Sequence, residues 1–209
     1  METTLYTRYP ALEVCRGDLD AVINRLIETY EAGGKLLICG NGGSAADSGH
    51  IVGELMKGFL KKRPISDEQK ESMKASSPTL SDDILSKLQL GLPAIALPEF
   101  SAALSSAFAN DVDPDLQYAQ AVLGLGEVND MLICISTSGN AKNCVAAAEV
   151  ANALGLTTVA LTGEKGGKLK GICDMTIAVP ANETYQVQEY HLPVYHELCA
   201  RVEAHFFDK

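Results

Sequence analysis

Five short runs constrain this chain most: KLLIC (35–39), PAIAL (93–97), MLICI (131–135), TTVAL (157–161) and MTIAV (175–179). Each is apolar at nearly every position, without the polar alternation of a strand that faces water on one side. Strands of that kind are covered on both faces, which is the habit of parallel sheets. The segments between them read as helices. Leu19, Val22, Ile23, Leu26 and Tyr30 recur at helical spacing, and Gly33-Gly34 ends that segment, so an N-terminal helix is expected over about 10–32, with Pro10 early in it. A second helix is expected from about Ala45 to Phe59. AKNCVAAAEVANAL (141–154) is helical, with Gly155 as its cap, and Gln186 to Phe207 is amphipathic. Strands alternating with helices predict a doubly wound α/β sheet with helices on both faces, in a single domain over 1–209.

One stretch breaks the alternation. Residues 57–91 are polar and charged, with room for one or two short helices. They are either a solvated insertion or a flap over a site, because they leave from the helix that carries Glu54.

Composition excludes some functions. Lys and Arg total 17 against 27 Asp and Glu, a net charge of -10. This argues against non-specific binding to nucleic acid or to an anionic membrane. A local nest of backbone N–H groups can still hold a small anion. The six cysteines form no C-x-x-C pair and read as reduced core residues of a cytosolic protein. METTLYTRYP has neither a basic n-region nor an apolar h-region, so no signal peptide is expected. No apolar stretch reaches membrane-spanning length. A cytoplasmic location is the expectation.

Chemistry concentrates in two loops and two helices. CGNGGSAADSGHIVGEL (39–55) leaves a strand through Gly40, Gly42 and Gly43, which let a ligand approach the backbone. Ser44 stands where a helix N-cap is expected. STSGN (136–140) also follows a strand and opens a helix. Ser136, Thr137 and Ser138 bring hydroxyls, and the helix start brings free N–H groups, which together suit a phosphate. Two such loops on neighbouring strands suggest a phosphorylated polyol. Neither is a P-loop or G-x-G-x-x-G, so a nucleotide is disfavoured. His50 and Glu54 share a helix face. In QEYHLPVYH, Gln188 and His196 lie about two turns apart on roughly one face. These four could bind one divalent metal, zinc by ligand type, or serve as general acid and base. His191 reads as packing or as a hydrogen-bond partner, and His205 as solvated or at an interface.

These motifs resemble the sugar isomerase (SIS) domain, and within it the bacterial phosphoheptose isomerases. CGNGGSAAD, ISTSGN, LTGEKGGKL and QVQEYHLPVYH match in order and spacing, over about Ala11 to Phe207 apart from 57–91. The resemblance implies a flavodoxin-like five-stranded parallel sheet and a homotetramer with sites at subunit interfaces. It implies conversion of sedoheptulose 7-phosphate to D-glycero-D-manno-heptose 7-phosphate through an enediol. Carried over by position, Glu54 and His196 are catalytic, with His196 coming from a neighbouring subunit. His50, Glu54, Gln188 and His196 match zinc ligands. Asn41, Gly42, Gly43, Ser44, Ser136, Thr137, Ser138 and Gln188 match substrate-binding positions, and Asp111 an active-site aspartate.

The chain departs from the family pattern in four places. Ala141 stands where a serine is usual, and the usual arginine shortly after the glutamate is absent, with Lys57 near that place. Pro193 lies inside the last helix and is expected to kink it. Residues 57–91 exceed the usual connection. The competing readings are a non-catalytic SIS protein that binds a phosphosugar or the replication initiator, an SIS isomerase of another phosphosugar, and an oligomeric scaffold with a vestigial site. Glu54 and His196 together argue against a pure binder.

Overall fold

The computed structural model describes residues 4–208. A short helix α1 (Leu5–Arg8) and a 3-10 stretch (Pro10–Cys15) precede α2 (Arg16–Glu31), so the expected helix from residue 10 is α-helical only from Arg16. Then follow β1 (Leu36–Gly40), α3 (Gly43–Met56), α4 (Asp67–Ser76), α5 (Asp82–Lys87) and β2 (Ala94–Ala96). Between β2 and β3, where no element is expected above, lie α6 (Leu97–Phe100), α7 (Ala102–Asp111) and α8 (Gln117–Leu125). The chain ends with β3 (Met131–Ser136), α9 (Lys142–Ala153), β4 (Thr157–Gly163), α10 (Leu169–Ile172), β5 (Met175–Val179) and α11 (Thr184–Phe207).

The five strands are all parallel, in the order β2-β1-β3-β4-β5. This is the flavodoxin-like order. Its switch point lies between β1 and β3, where the connections leave for opposite faces. The period-2 geometry of a strand divides the apolar runs between two cores. Leu36, Ile38, Ile133 and Ile135 pack with α2, α3 and α11 through Leu19, Ile51, Val194 and Leu198. Leu37, Cys39, Leu132 and Cys134 face α8 and α9 through Val122, Cys144, Ala147 and Ala151. All six cysteines are free thiols. Among the described residues no helix is long and apolar enough to cross a membrane.

Two local expectations change. The N-cap of α3 is Gly42, and Ser44 is already inside the helix and buried. Helix α3 stops at Met56, because Lys57 turns extended and Gly58 spends its N–H on the Gln89 side chain. Helix α11, by contrast, runs without a break through Pro193, which removes one hydrogen bond from a helix held by buried neighbours.

The 57–91 segment has two parts. Pro64 bridges Gln89, and the Leu90 N–H donates to the Arg63 carbonyl, closing the base of an excursion that holds α4 and α5. Helix α4 has a full capping box between Ser66 and Gln69. Residues before the bridge are anchored, since the Arg63 side chain is entirely buried.

His191, on α11, is fully buried, with the Thr162 backbone beside its ring as a weak hydrogen-bond partner. Burial pushes its pKa down to about 4. An unfolded histidine titrates near ~6.5, so below that pH the unfolded chain takes a proton that the native state refuses. His191 therefore costs nothing above that value, and stability falls as pH drops from about 6.5 towards 4. The full effect is about 3 kcal/mol. Urea unfolding at pH 7, 6, 5 and 4 should show a shallower acid loss in His191→Phe than in the wild type; parallel curves would refute this.

Candidate active site

The connections after β1 and β3 flank the switch point, so GNGGS and STSGN face one another. A cavity of about 430 Å³ opens between them. Its lining includes Asn41, Gly42, Gly43, Ser44, Ser136, Thr137, Ser138 and Gln188, eight of the nine substrate-binding positions expected from sequence; Asp111 is the ninth. A larger depression, about 720 Å³, lies by Thr157 and Met175 at the opposite ends of the strands. Ligands of such sheets bind beyond the carboxyl ends, so the smaller cavity is the candidate.

The two loops are tied together. Asn41 and Asn143 form a reciprocal amide pair, Nδ2 to Oδ1 at 2.8 Å in one direction and 2.9 Å in the other. The Tyr118 hydroxyl donates to the Gly40 carbonyl at 2.7 Å and reaches the Asn41 Oδ1 at 3.3 Å. The Asn41 amide thus spans the loops. The first N–H groups of α9 lack backbone acceptors within the helix; that of Cys144 is taken by the Asn143 side chain, which leaves those of Lys142 and Asn143 at this end of the sheet. Ala141, its N-cap, lines the cavity but brings no side-chain cap. Gln188 stands over Gly43, where a Cβ would come within 2.5 Å of its amide nitrogen, so glycine is needed for this approach.

Thr184 also lines the cavity and was not among the expected residues. Its signal was present, since it lies four residues before Gln188 on one helical face. Asp111 is exposed at the end of α7, where it accepts from the Asn110 side chain, and does not line the cavity.

His50, Glu54 and His196 meet about two turns further along α3 and α11. The His50 Nε2 is 3.2 Å from Glu54 Oε1 and 3.5 Å from His196 Nε2, within one chain. No neighbouring subunit is required to bring His196 to this group. Lys57 Nζ lies 3.4 Å from Glu54 Oε2. The His50 Nδ1 is 2.9 Å from the Tyr195 hydroxyl, whose oxygen is 3.3 Å from Asp47 Oδ1. Glu54 as carboxylate can only accept. His50 then donates to it from Nε2, and the Tyr195 hydroxyl, which donates to Asp47, lies against the other ring nitrogen. Burial and the neighbouring His50 push the His196 pKa down, so this imidazole is neutral and able to take a proton at neutral pH. Burial raises the pKa of Asp47.

Two imidazoles and a carboxylate are donor types that suit zinc. As placed, they are not a cage: among the described residues no three His, Cys, Asp or Glu side chains are set to hold an ion. Gln188 stands over Gly43, and the eight residues to His196 amount to about 12 Å of helix rise.

The SIS domain family model matches residues 84–163. The fold and the paired strand-end loops therefore define an SIS domain. Phosphoheptose isomerase of Helicobacter pylori (strain Shi470) is 40% identical over 187 residues, covering 90% of this chain and 83% of the relative. The structure of phosphoheptose isomerase from Francisella tularensis superposes with a TM-score of 0.76 at 26% identity, covering 95% of this chain and 92% of that one. The structure of the enzyme from Neisseria gonorrhoeae gives 0.75 at 26% identity, with 96% and 93% covered. The chain belongs to the phosphoheptose isomerase family, a family of sugar-phosphate isomerases, and is an isomerase.

Proposed function

We propose that this isomerase interconverts sedoheptulose 7-phosphate and D-glycero-D-manno-heptose 7-phosphate through an enediol. One observation carries the reading: a cavity suited to a phosphate and an acid–base group lie a fixed distance apart on parallel α3 and α11. From Gly43 to His50 is seven residues, about 10 Å of helix rise. Glu54 leans back towards the helix start and meets His50 there. An extended chain advances roughly 1.2 Å per bond, by analogy with the backbone, so the eight bonds from C1 to phosphorus of a heptose 7-phosphate span about 10 Å. A triose phosphate, with four such bonds, would span only about 5 Å. The separation favours a long sugar phosphate in open-chain form.

In this reading the phosphate lies on the STSGN hydroxyls and the start of α9. Asn41, Gly43 and Gln188 border the hydroxyls. Glu54 takes the proton from C1 of the ketose and returns it at C2. His196, neutral at rest, moves the proton between the C1 and C2 oxygens. Nothing is oxidised or reduced overall. A zinc ion would be held by His50, Glu54, Gln188 and His196 once Gln188 leaves Gly43, and would polarise the carbonyl. A homotetramer is expected, with exposed Met56, Leu60 and Leu192 covered by neighbouring copies.

Proton NMR of the protein with sedoheptulose 7-phosphate, with and without added zinc, tests the function. New anomeric aldose signals are expected. Their absence in both conditions, while phosphosugar still binds, would sink the heptose reading and leave another phosphosugar or a binding role.

A further inference from the structure

Arg63 and Glu203 are both fully buried, and they pair at 2.8 Å between Nη2 and Oε1. A buried ion pair is often replaceable by apolar residues at little cost in stability, so stability alone is a weak reason for it. The hydrogen bonds of this pair point elsewhere. Glu203 accepts from the N–H groups of Phe59, Leu60 and Lys61 at 2.8, 2.7 and 3.1 Å, and from Arg63 Nε at 2.9 Å. Arg63 Nη1 donates to the Leu55 carbonyl at 2.6 Å, and Nη2 to the Glu54 carbonyl at 3.2 Å. Those carbonyls belong to the last turn of α3, which has no helical donors left for them. The Phe207 ring covers the guanidinium at 4.6 Å. The Phe59 ring lies 5.5 Å from the His196 ring, tilted by 38°.

We infer that Arg63 and Glu203 are positioning residues for the acid–base group. The guanidinium fixes the backbone of Glu54, and the carboxylate fixes Phe59 against His196. One buried contact thus sets where two side chains from different helices stand. It rests on the assignment of Glu54 and His196 made above. It also gives the anchored part of 57–91 a role in the site that its charged composition does not suggest.

Three variants test it, with kinetics expressed per folded molecule well below the melting temperature. Arg63→Lys keeps a charge but loses the fork that reaches a carboxylate and two carbonyls at once. Glu203→Gln keeps the shape, and Phe59→Leu leaves the ion pair intact. Misplacement of a reacting group by a fraction of an ångström should lower kcat by about 10-fold or more in the first two, with KM within about 3-fold. Phe59→Leu should lower kcat by about 3-fold. Proton cross-relaxation between the Phe59 and His196 rings should vanish in Arg63→Lys and Glu203→Gln. As control, Asp130→Asn breaks the Lys35–Asp130 pair at the far end of the sheet and should lower the melting temperature with kcat unchanged.

If Arg63→Lys and Glu203→Gln behave like that control, the pair is structural only and the inference is overturned. If neither folds, an unchanged kcat in Phe59→Leu overturns it. If the wild type turns over no phosphosugar, the functional assignment fails separately. The ring contact then decides: its persistence in Arg63→Lys or Glu203→Gln overturns the anchor.

Discussion

Gly139→Ala is expected to destabilise the protein by at least about 3 kcal/mol and to disorder the phosphate loop. Gly139 has φ 65°, where an L side chain pays for its Cβ. More severely, that Cβ would lie 1.9 Å from the Gly166 carbonyl oxygen and 2.9 Å from the Gly167 nitrogen. The obstacle is backbone, so no rotamer relieves it. The contact is also where STSGN is pinned. The Leu169 N–H donates to the Gly139 carbonyl, and the Lys168 N–H to Asn140 Oδ1, each at 3.0 Å. Alanine must push the two loops apart and break those bonds. At about 2–4 °C per kcal/mol for a chain of this size, the melting temperature should fall by roughly 6–12 °C. A calorimetric scan checks this, and a loss of less than about 2 °C would show that the loops can separate freely. Phosphosugar affinity should weaken in parallel, because the hydroxyls of Ser136, Thr137 and Ser138 ride on the same turn.

That contact marks the boundary of what the sequence shows. LTGEKGGKL is conspicuous as a string, and Gly166 and Gly167 both stand at positive φ, but the close approach of Gly167 to the Ser138 and Gly139 backbone, where β4's loop crosses STSGN, is tertiary. The sheet was legible because strands buried on both faces have no polar positions: LLICG of β1 and MLICIS of β3 are buried at every residue. The substrate loops were legible for a related reason, since a glycine or hydroxyl cluster after a buried strand has few other uses. Ser44 misled because serine is a good cap and Gly42 looks like a mere turn; the observed φ of 56° at Gly42 moved the cap two residues back. Arg63 was invisible in principle. Its run, KKR, reads as a solvated charge cluster, and only Glu203, 140 residues away, makes burial of the guanidinium possible. The position of His196 was also hidden. The eight-residue spacing from Gln188 was plain, but whether it met His50 within one chain depended on α3 and α11 lying parallel.

Glu54→Gln should lower kcat by about 10²–10⁴-fold while leaving KM nearly unchanged, the loss typical of removing a positioned general base. The change conserves volume, so packing is little affected; what goes is the ability to hold the C1 proton. The local hydrogen bonds make the variant informative. Glutamine can still accept from the His50 Nε2–H through its carbonyl, so His50, Tyr195 and Asp47 keep their arrangement. Its amide carries no charge for Lys57, but that contact, at 3.4 Å and exposed, is worth little. A fall in kcat of about three decades corresponds to about 4 kcal/mol of transition-state stabilisation. Such a loss cannot be assigned to Lys57, nor to altered phosphate binding on STSGN, since Glu54 does not line that cavity. Binding of the sugar phosphate, measured calorimetrically, should survive. His196→Ala should also lower kcat, and the double variant should be little worse than the poorer single, because groups that act on one proton-transfer sequence are not additive. Wild-type turnover in both single variants would remove the acid–base assignment altogether. A kcat loss in Glu54→Gln with intact turnover in His196→Ala would instead leave one carboxylate to move every proton, with the sugar's own hydroxyls passing the proton between C1 and C2 oxygens.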